Sequence, residues 1–260
     1  MPDTPDALHL SGKTALVTGG SRNIGRETAL ALGRLGADVI VTYNTNAEGG
    51  ARTVADLEGM GRRAKAVQAN LTGTDAVDEL VGEVRSFADW LGRSGLDILV
   101  NNAGTLRLKT FDQVTQDDLD AIYRTNYKSV FFLTQALAEH MSDGGRIVNL
   151  GSGTARIAFA PLIAYGPFKA ALQSLTLYWA SHLGGRGITV NAVAPGGLDD
   201  DFNGPLFEAM PQARDFITGN TALGRIGVPT DIAGVIAFLC RPEAGFVSGA
   251  VVPVDGGYHL

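Results

Sequence analysis

Cysteine is almost missing from this chain: Cys240 is the only one. No internal disulfide can form, and a reducing, cytoplasmic compartment is expected. Histidine is equally sparse. His9, His140, His182 and His259 are scattered without the spacing of metal ligands, so each is read as a surface or packing residue and no metal site is expected. Positive charge is in deficit, with 21 Lys and Arg against 27 Asp and Glu for a net charge of −6. That balance argues against nucleic acid or an anionic membrane as the main partner. No apolar run approaches the roughly 18 residues of a membrane span. The first residues, Met1-Pro2-Asp3-Thr4-Pro5-Asp6, carry acid where a signal peptide carries base. The expectation is a soluble intracellular protein.

Glycine, in contrast, is plentiful. The 34 glycines in 260 residues are about 13%, against roughly 7% in average usage. Proline adds only 10, so the excess is not a linker signature and points to tight turns and close backbone approach. With 45% hydrophobic and 18% charged residues there is ample material for a buried core. Length alone leaves one large or two small domains open.

Short apolar runs alternate with helix-length stretches from residue 13 onward. The runs are Thr14–Thr18, Asp38–Tyr43, Ala64–Ala69, Asp97–Val100, Arg146–Leu150, Ile188–Val193 and Ala250–Val254. Most are continuous rather than alternating, the pattern of strands covered on both faces. Arg26–Leu35, Thr115–Met141 and Ala164–Leu183 read as helices. Such alternation implies βαβ units and a parallel sheet with right-handed crossovers. No linker, charge block or internal repeat divides the chain. It is read as one doubly wound domain, 11–260, behind a loose N-terminal arm, 1–10. One segment breaks the rhythm: about 198–223, after Pro195-Gly196-Gly197, carries Asp199, Asp200 and Asp201, then Phe202, Leu206, Phe207 and Met210. It is either a lid over a ligand site or a surface helix with its own small core.

Four groups of residues can carry chemistry. Thr18-Gly19-Gly20-Ser21-Arg22-Asn23-Ile24-Gly25 joins the first strand to the first helix. Glycine there lets the backbone approach a pyrophosphate, whose charge the following helix N-terminus favours. The turn departs from GxGxxG, and an ordinary tight βα turn is the alternative. Tyr165 and Lys169 lie four apart in a helical stretch, hence on one face. A tyrosine with a pKa of about 10 is a poor acid–base group near neutrality. An ammonium beside its hydroxyl favours the phenolate, although a surface pair would look the same. Ser152, just past the fifth strand, can hydrogen-bond a substrate oxygen; its surroundings are not G-x-S-x-G, and no partner histidine supports a nucleophile. Asn101-Asn102-Ala103-Gly104 follows the fourth strand and reads as a cofactor wall or a plain Asn-rich turn.

In this order and at these strand ends, the groups together resemble the short-chain dehydrogenase/reductase family in its compact form. The resemblance runs from Leu10 to Asp255-Gly256-Gly257. It rests on TGxxxxxG (Thr18, Gly19, Gly25), the NNAG run, Asn126, Ser152, the YxxxK pair, Pro195-Gly196 and the separation of 13 between Ser152 and Tyr165. It implies an α/β Rossmann-type domain with a parallel sheet of about seven strands. It also implies hydride transfer between a nicotinamide cofactor and a ketone or secondary alcohol, most similar to 3-oxoacyl-carrier-protein reductases. By resemblance, Tyr165 is the general acid–base, Lys169 lowers its pKa and binds ribose hydroxyls, Ser152 orients the substrate oxygen, and Asn126 holds a water in a proton relay. The implied cofactor contacts are Gly19, Ser21, Arg22, Asn23, Ile24, Gly25, Tyr43, Asn44, Thr45, Asn70, Leu71, Asn102, Ala103, Gly104, Tyr165, Lys169, Pro195 and Gly196. A dehydrogenase of a sugar, steroid or other small alcohol is the rival within the enzymes. A catalytically silent nucleotide-binding sensor is the rival outside them.

Four positions depart from the family pattern. Asn23 replaces a glycine of the turn, Asn70 stands where an aspartate usually contacts adenine, Phe168 replaces a small residue before the lysine, and Asp200 falls near a usual threonine. None touches the Asn126–Ser152–Tyr165–Lys169 set. NADP is expected over NAD. An NAD enzyme commonly places an acid after the second strand, about 20 residues beyond the glycine turn. Here the strand ends in Tyr43-Asn44-Thr45-Asn46, and Glu48 already belongs to the next helix. Arg22 can supply the charge that a 2′-phosphate needs. A homotetramer is implied as well, through long helices carrying Phe131, Phe132, Leu175, Leu177 and Trp179, residues that core packing would also explain.

Overall fold

The computed structural model describes residues 9–73 and 75–259. The strands are β1 (Thr14–Val17), β2 (Asp38–Tyr43), β3 (Ala64–Gln68), β4 (Leu96–Asn101), β5 (Met141–Leu150), β6 (Thr189–Pro195) and β7 (Val251–Val254). They form one parallel sheet in the order β3-β2-β1-β4-β5-β6-β7. The chain runs outward from β1 to β3, then returns to the other side of β1 for β4. That reversal leaves a crevice at the carboxyl ends of β1 and β4, the place where doubly wound sheets bind ligands. The expected α/β architecture is the observed one.

The helices that matter to the site are α1 (Asn23–Arg34), α2 (Ala47–Gly59), α3 (Asp75–Trp90), α4 (Gln116–Tyr123), α5 (Ser129–Ala138), α6 (Tyr165–Leu183), α7 (Gly204–Ala209), α8 (Ala213–Gly219) and α9 (Pro229–Leu239). Successive strand residues point to opposite faces, and here both faces are covered. Ala15, Val17, Val39, Val41, Ile98, Val100 and Val193 enter one core with residues of α1 and α9. Leu16, Ile40, Leu96, Leu99, Ile147 and Val190 enter the other with residues of α3 and α5. Double coverage explains why these strands read as unbroken apolar runs. Burying one such side chain stabilises by roughly 1.5–3 kcal/mol.

Two expectations need correction. The stretch Thr115–Met141 is not one helix. A capping box starts α4, with Thr115 Oγ1 accepting from the Asp118 amide at 3.2 Å and the Asp118 carboxylate accepting from the Thr115 amide at 3.1 Å. A π-turn at Arg124–Lys128 then interrupts the helix before α5 begins. Asn126 sits in that turn, fully buried, with both ends of its amide bound to Thr105. Met141 lies beyond the helix and pairs with Leu96, and the ladder resumes at Arg146 opposite Ile98. Its buried side chain belongs to the second core, and this burial draws it into the sheet. The arm reading of 1–10 also changes. Residues 1–8 fall outside the described residues, whereas Leu10 is 2% exposed and packed in the first core, its amide bonded to the Leu35 carbonyl at 2.8 Å.

Candidate active site

The carboxyl ends of β1, β2, β4, β5 and β6 open onto one cavity of about 710 Å³. Every residue expected to contact cofactor lines it: Gly19 and Ser21 to Gly25 of the turn, Tyr43 to Thr45, Asn70 and Leu71, Asn102 to Gly104, Pro195 and Gly196, Tyr165 and Lys169, together with Ser152. Asn126 does not. It lies behind the loop after β4, where its Oδ1 accepts from the Thr105 amide at 2.9 Å and its Nδ2 donates to the Thr105 carbonyl at 2.7 Å.

The glycine turn is held by close backbone approach. Gly19 has φ +67, and a Cβ on Gly25 would stand 2.2 Å from the Gly19 carbonyl oxygen, so neither position accepts a side chain. Asn23 takes φ +50 itself, a conformation that Asn tolerates better than most residues, so the missing glycine is accommodated. Asn102 does more than form a wall: its Nδ2 donates to the Thr18 and Gly19 carbonyls at 2.8 and 3.2 Å and braces the turn from β4. Asn101 points inward instead, donating to Thr134 and Asn149. α1 starts at Asn23 with no side-chain cap, leaving its first amides directed at the cavity. The N-cap residue, Arg22, is exposed; its carbonyl accepts from the Arg26 amide at 3.1 Å, while its side chain makes no hydrogen bond or ion pair among the described residues.

Electrostatically, the lining carries the cations Arg22, Arg107 and Lys169 and a single carboxylate, Asp200. Glu48 lies in α2 and pairs with Arg52 at 2.6 Å, so no acid lines the end of β2. Asn70 closes its own turn by accepting from Thr72. An uncommitted guanidinium, a helix N-terminus and side-chain-free glycines suit a dinucleotide whose ribose bears a 2′-phosphate.

At the other end of the cavity, α6 turns one face to the end of β5. Tyr165, Lys169 and Gln173 are spaced four apart on that face. The Lys169 ammonium donates to the Leu150 carbonyl at 2.7 Å, and Gln173 Nε2 donates to the Ser152 carbonyl at 2.9 Å. Ser152 Oγ lies 2.8 Å from Thr154 Oγ1. Tyr165 is 7% exposed and Lys169 is 2% exposed. Burial pushes the Tyr165 phenol well above the ordinary tyrosine range, and the Asp200 carboxylate pushes it further, while a hydrogen bond with Ser152 pulls it back. Burial brings Lys169 down to about 8. The expected lowering of the tyrosine by the lysine is therefore not what dominates here. The ammonium lies 5.6 Å from the phenol ring centroid, and the loss of water outweighs it. The result is a neutral phenol at neutral pH, able to give a proton to an oxygen held by Ser152.

Of the three adjacent aspartates only Asp200 lines the cavity; its Oδ1 accepts from the Asn203 amide at 3.0 Å and Nδ2 at 2.8 Å. Asp199 pairs with Arg214 at 2.6 Å, and Asp201 is exposed. The segment from 198 to 223 forms α7 and α8 around its own cluster of Leu206, Phe207 and Ala213, against which Leu108 and Phe159 pack. Gln173, Arg107, Phe159, Tyr258 and His259 were not anticipated. Only the last two carried a sequence signal, since they directly follow the Asp255-Gly256-Gly257 turn.

A family model described as enoyl-(acyl carrier protein) reductase matches residues 19–259. The hydroxynaphthalene reductase-like protein Arp2 of Metarhizium brunneum is 37% identical over 267 residues, covering 98% of this chain and 97% of its own. Among solved structures, the angucycline C-6 ketoreductase LanV with bound NADP has a TM-score of 0.91 and 40% identity over 96% of this chain and 97% of that one. A short-chain dehydrogenase from Burkholderia cenocepacia in complex with NADP has a TM-score of 0.88 and 42% identity, covering 96% and 98%.

Proposed function

The chain belongs to the short-chain dehydrogenase/reductase family, and from that premise we propose that its cavity catalyses the NADPH-dependent reduction of a ketone to a secondary alcohol. The observation that carries this reading is the convergence of half-buried Ser152 with buried Tyr165 and Lys169 on one cavity wall, where burial keeps the phenol protonated at neutral pH. Reduction needs an acid at the carbonyl oxygen, and Tyr165 is in the right state to be that acid. Ser152 orients the oxygen by a hydrogen bond. Lys169, fixed through the Leu150 carbonyl, offers its remaining protons to cofactor hydroxyls. The nicotinamide, when bound, supplies the hydride; the protein supplies position and proton. Asn126 acts on the loop after β4 through Thr105, to which both ends of its amide are bonded.

NADPH rather than NADH is favoured by Arg22 and by the absence of an acid beside β2 among the lining residues. LanV and the Burkholderia relative are both named with NADP. For the substrate, the family model's description names an enoyl group on an acyl carrier protein, which supports an acyl thioester as a class but names an alkene and not a 3-oxo group. The names of Arp2 and LanV instead favour a ketone on an aromatic polycycle, and so do Phe159, Phe202, Phe207, Phe216 and Tyr258 in the lining. The aromatic reading has the stronger support, because it also rests on residues of this chain. Assembly as a homotetramer is supported by exposed apolar side chains on α5 and α6, namely Phe132, Leu177 and Tyr178. A cytoplasmic location is supported by the lone free Cys240.

The test is a screen of NADPH consumption by the purified protein against aromatic ring ketones, 3-oxoacyl thioesters, sugars and steroids. Turnover of ring ketones above the other classes supports the reading. Inertness toward every ketone, with intact NADPH binding, would promote the silent sensor in its place.

A further inference from the structure

We propose that the C-terminal tail, Gly256–His259, is a specificity-determining wall of the substrate compartment that selects ketones borne on flat aromatic rings. The inference rests on the ketoreductase reading and deepens it. After β7, Gly256 at φ +66 and Gly257 at φ +76 turn the chain back over the segment that leaves α8. The Leu223 amide donates to the Gly256 carbonyl at 3.1 Å, Ala222 to Gly257 at 3.2 Å, and His259 to the Asn220 carbonyl at 3.0 Å. Thr221 and Tyr258 form an antiparallel bridge. The approach is close, since a Cβ on Gly256 would stand 2.8 Å from Thr221 Cγ2. The tail is thus stitched to the same 198–223 segment that supplies Phe202, Phe207 and Phe216 to the cavity.

Tyr258 and His259 both line that cavity, and so does Phe216. The rings of Tyr258 and His259 meet edge to face at 4.3 Å, and His259 lies 6.2 Å from Phe216. His259 holds φ +55, where residues other than glycine are uncommon and are kept only when surrounding structure imposes it. Phe216 is 51% exposed and His259 is exposed, so ring faces stand bare at the mouth of a cavity. A flat ring entering there covers these faces in offset or edge-to-face contact, which an acyclic chain cannot reproduce. Discrimination follows from ring–ring contact in addition to apolar area.

The experiment compares His259→Gly, which accepts the positive φ, and Phe216→Leu, on the facing element, with the parent enzyme. Melting temperature and NADPH affinity report folding and cofactor binding. The probes are a tetralone, as a bicyclic aromatic ketone, and an acetoacetate ester, as an acyclic one. Each variant is expected to lose about 2- to 10-fold in kcat/KM for the tetralone, with the ester and NADPH affinity within about twofold. Calorimetry of the tetralone on the NADP⁺-loaded protein is expected to show the same loss in Kd. Equal losses on both ketones, or an unchanged tetralone Kd, overturn the wall. A parent enzyme that reduces neither ketone overturns the ketoreductase reading, while the tetralone Kd still decides for or against the wall.

Discussion

Replacing Arg22 by alanine is expected to erase most of the preference for NADPH while leaving NADH turnover intact. Arg22 is the N-cap residue of α1, exposed and lining the cavity, and its guanidinium has no partner among the described residues. A charge-assisted hydrogen bond from such a guanidinium to a phosphate contributes about 1.5–3 kcal/mol. Solvent screening at an exposed position favours the lower end of that range. At about 1.4 kcal/mol per factor of ten, the loss in kcat/KM for NADPH is roughly tenfold. NADH has no 2′-phosphate, and the α1 N-terminus would hold the pyrophosphate of either cofactor. The NADPH/NADH ratio should therefore fall by the same tenfold. The readout is steady-state kinetics with each cofactor at saturating ketone, from the absorbance of the reduced nicotinamide. Salt supplies a second signature: the parent's KM for NADPH should climb with ionic strength and that of Arg22→Ala should climb less. An unchanged ratio refutes the assignment of Arg22. So does an equal loss for both cofactors, which would point to collapse of the glycine turn.

Tyr165→Phe should leave NADPH affinity unchanged and cost about 10²–10⁴-fold in turnover, because only the transferable proton is removed; activity within twofold of the parent contradicts the acid–base role. Asp200→Asn should lower the Tyr165 pKa, since the carboxylate raises it. The alkaline limb of alcohol oxidation, which needs the phenolate, then moves to lower pH, and an unmoved limb refutes the coupling. Lys169 has its pKa depressed by burial from 10.5 to about 8. Below about 8 the folded state bears the full cost of the buried ammonium. Between about 8 and 10.5 it binds fewer protons than the unfolded chain, and stability rises with pH. Relative to Lys169→Met, the parent should gain on the order of 3 kcal/mol across that window in denaturant titrations, and parallel profiles refute it.

The architecture was readable from local pattern, because a strand buried on both faces must be apolar at every position. Leu16 and Val17 serve opposite cores, yet both announce the same strand. The Tyr165–Lys169 face was readable for a similar reason, since helical spacing places them together whatever surrounds them. The glycine turn was legible because its backbone geometry restricts residue type, and Asn23 shows that the restriction concerns φ rather than glycine itself.

Other features had no local signature. Residues 115–141 carry no local signal of a break, whereas in the fold Asn126 bonds Thr105 within the π-turn and Met141 is buried in the second core at the sheet. The pair Asn101-Asn102 looks symmetrical in the chain, but one side chain faces the interior and the other braces the glycine turn. Side-chain pKa values belong to the same class. Tyr165 and Lys169 read as a phenol lowered by an ammonium, whereas burial raises the first and lowers the second. The aromatic wall depends on Thr221 meeting Tyr258 across 37 positions (258 minus 221). Period and propensity act over a few residues and can be read from the chain. Desolvation and long-range pairing depend on what packs alongside, which only the folded molecule specifies.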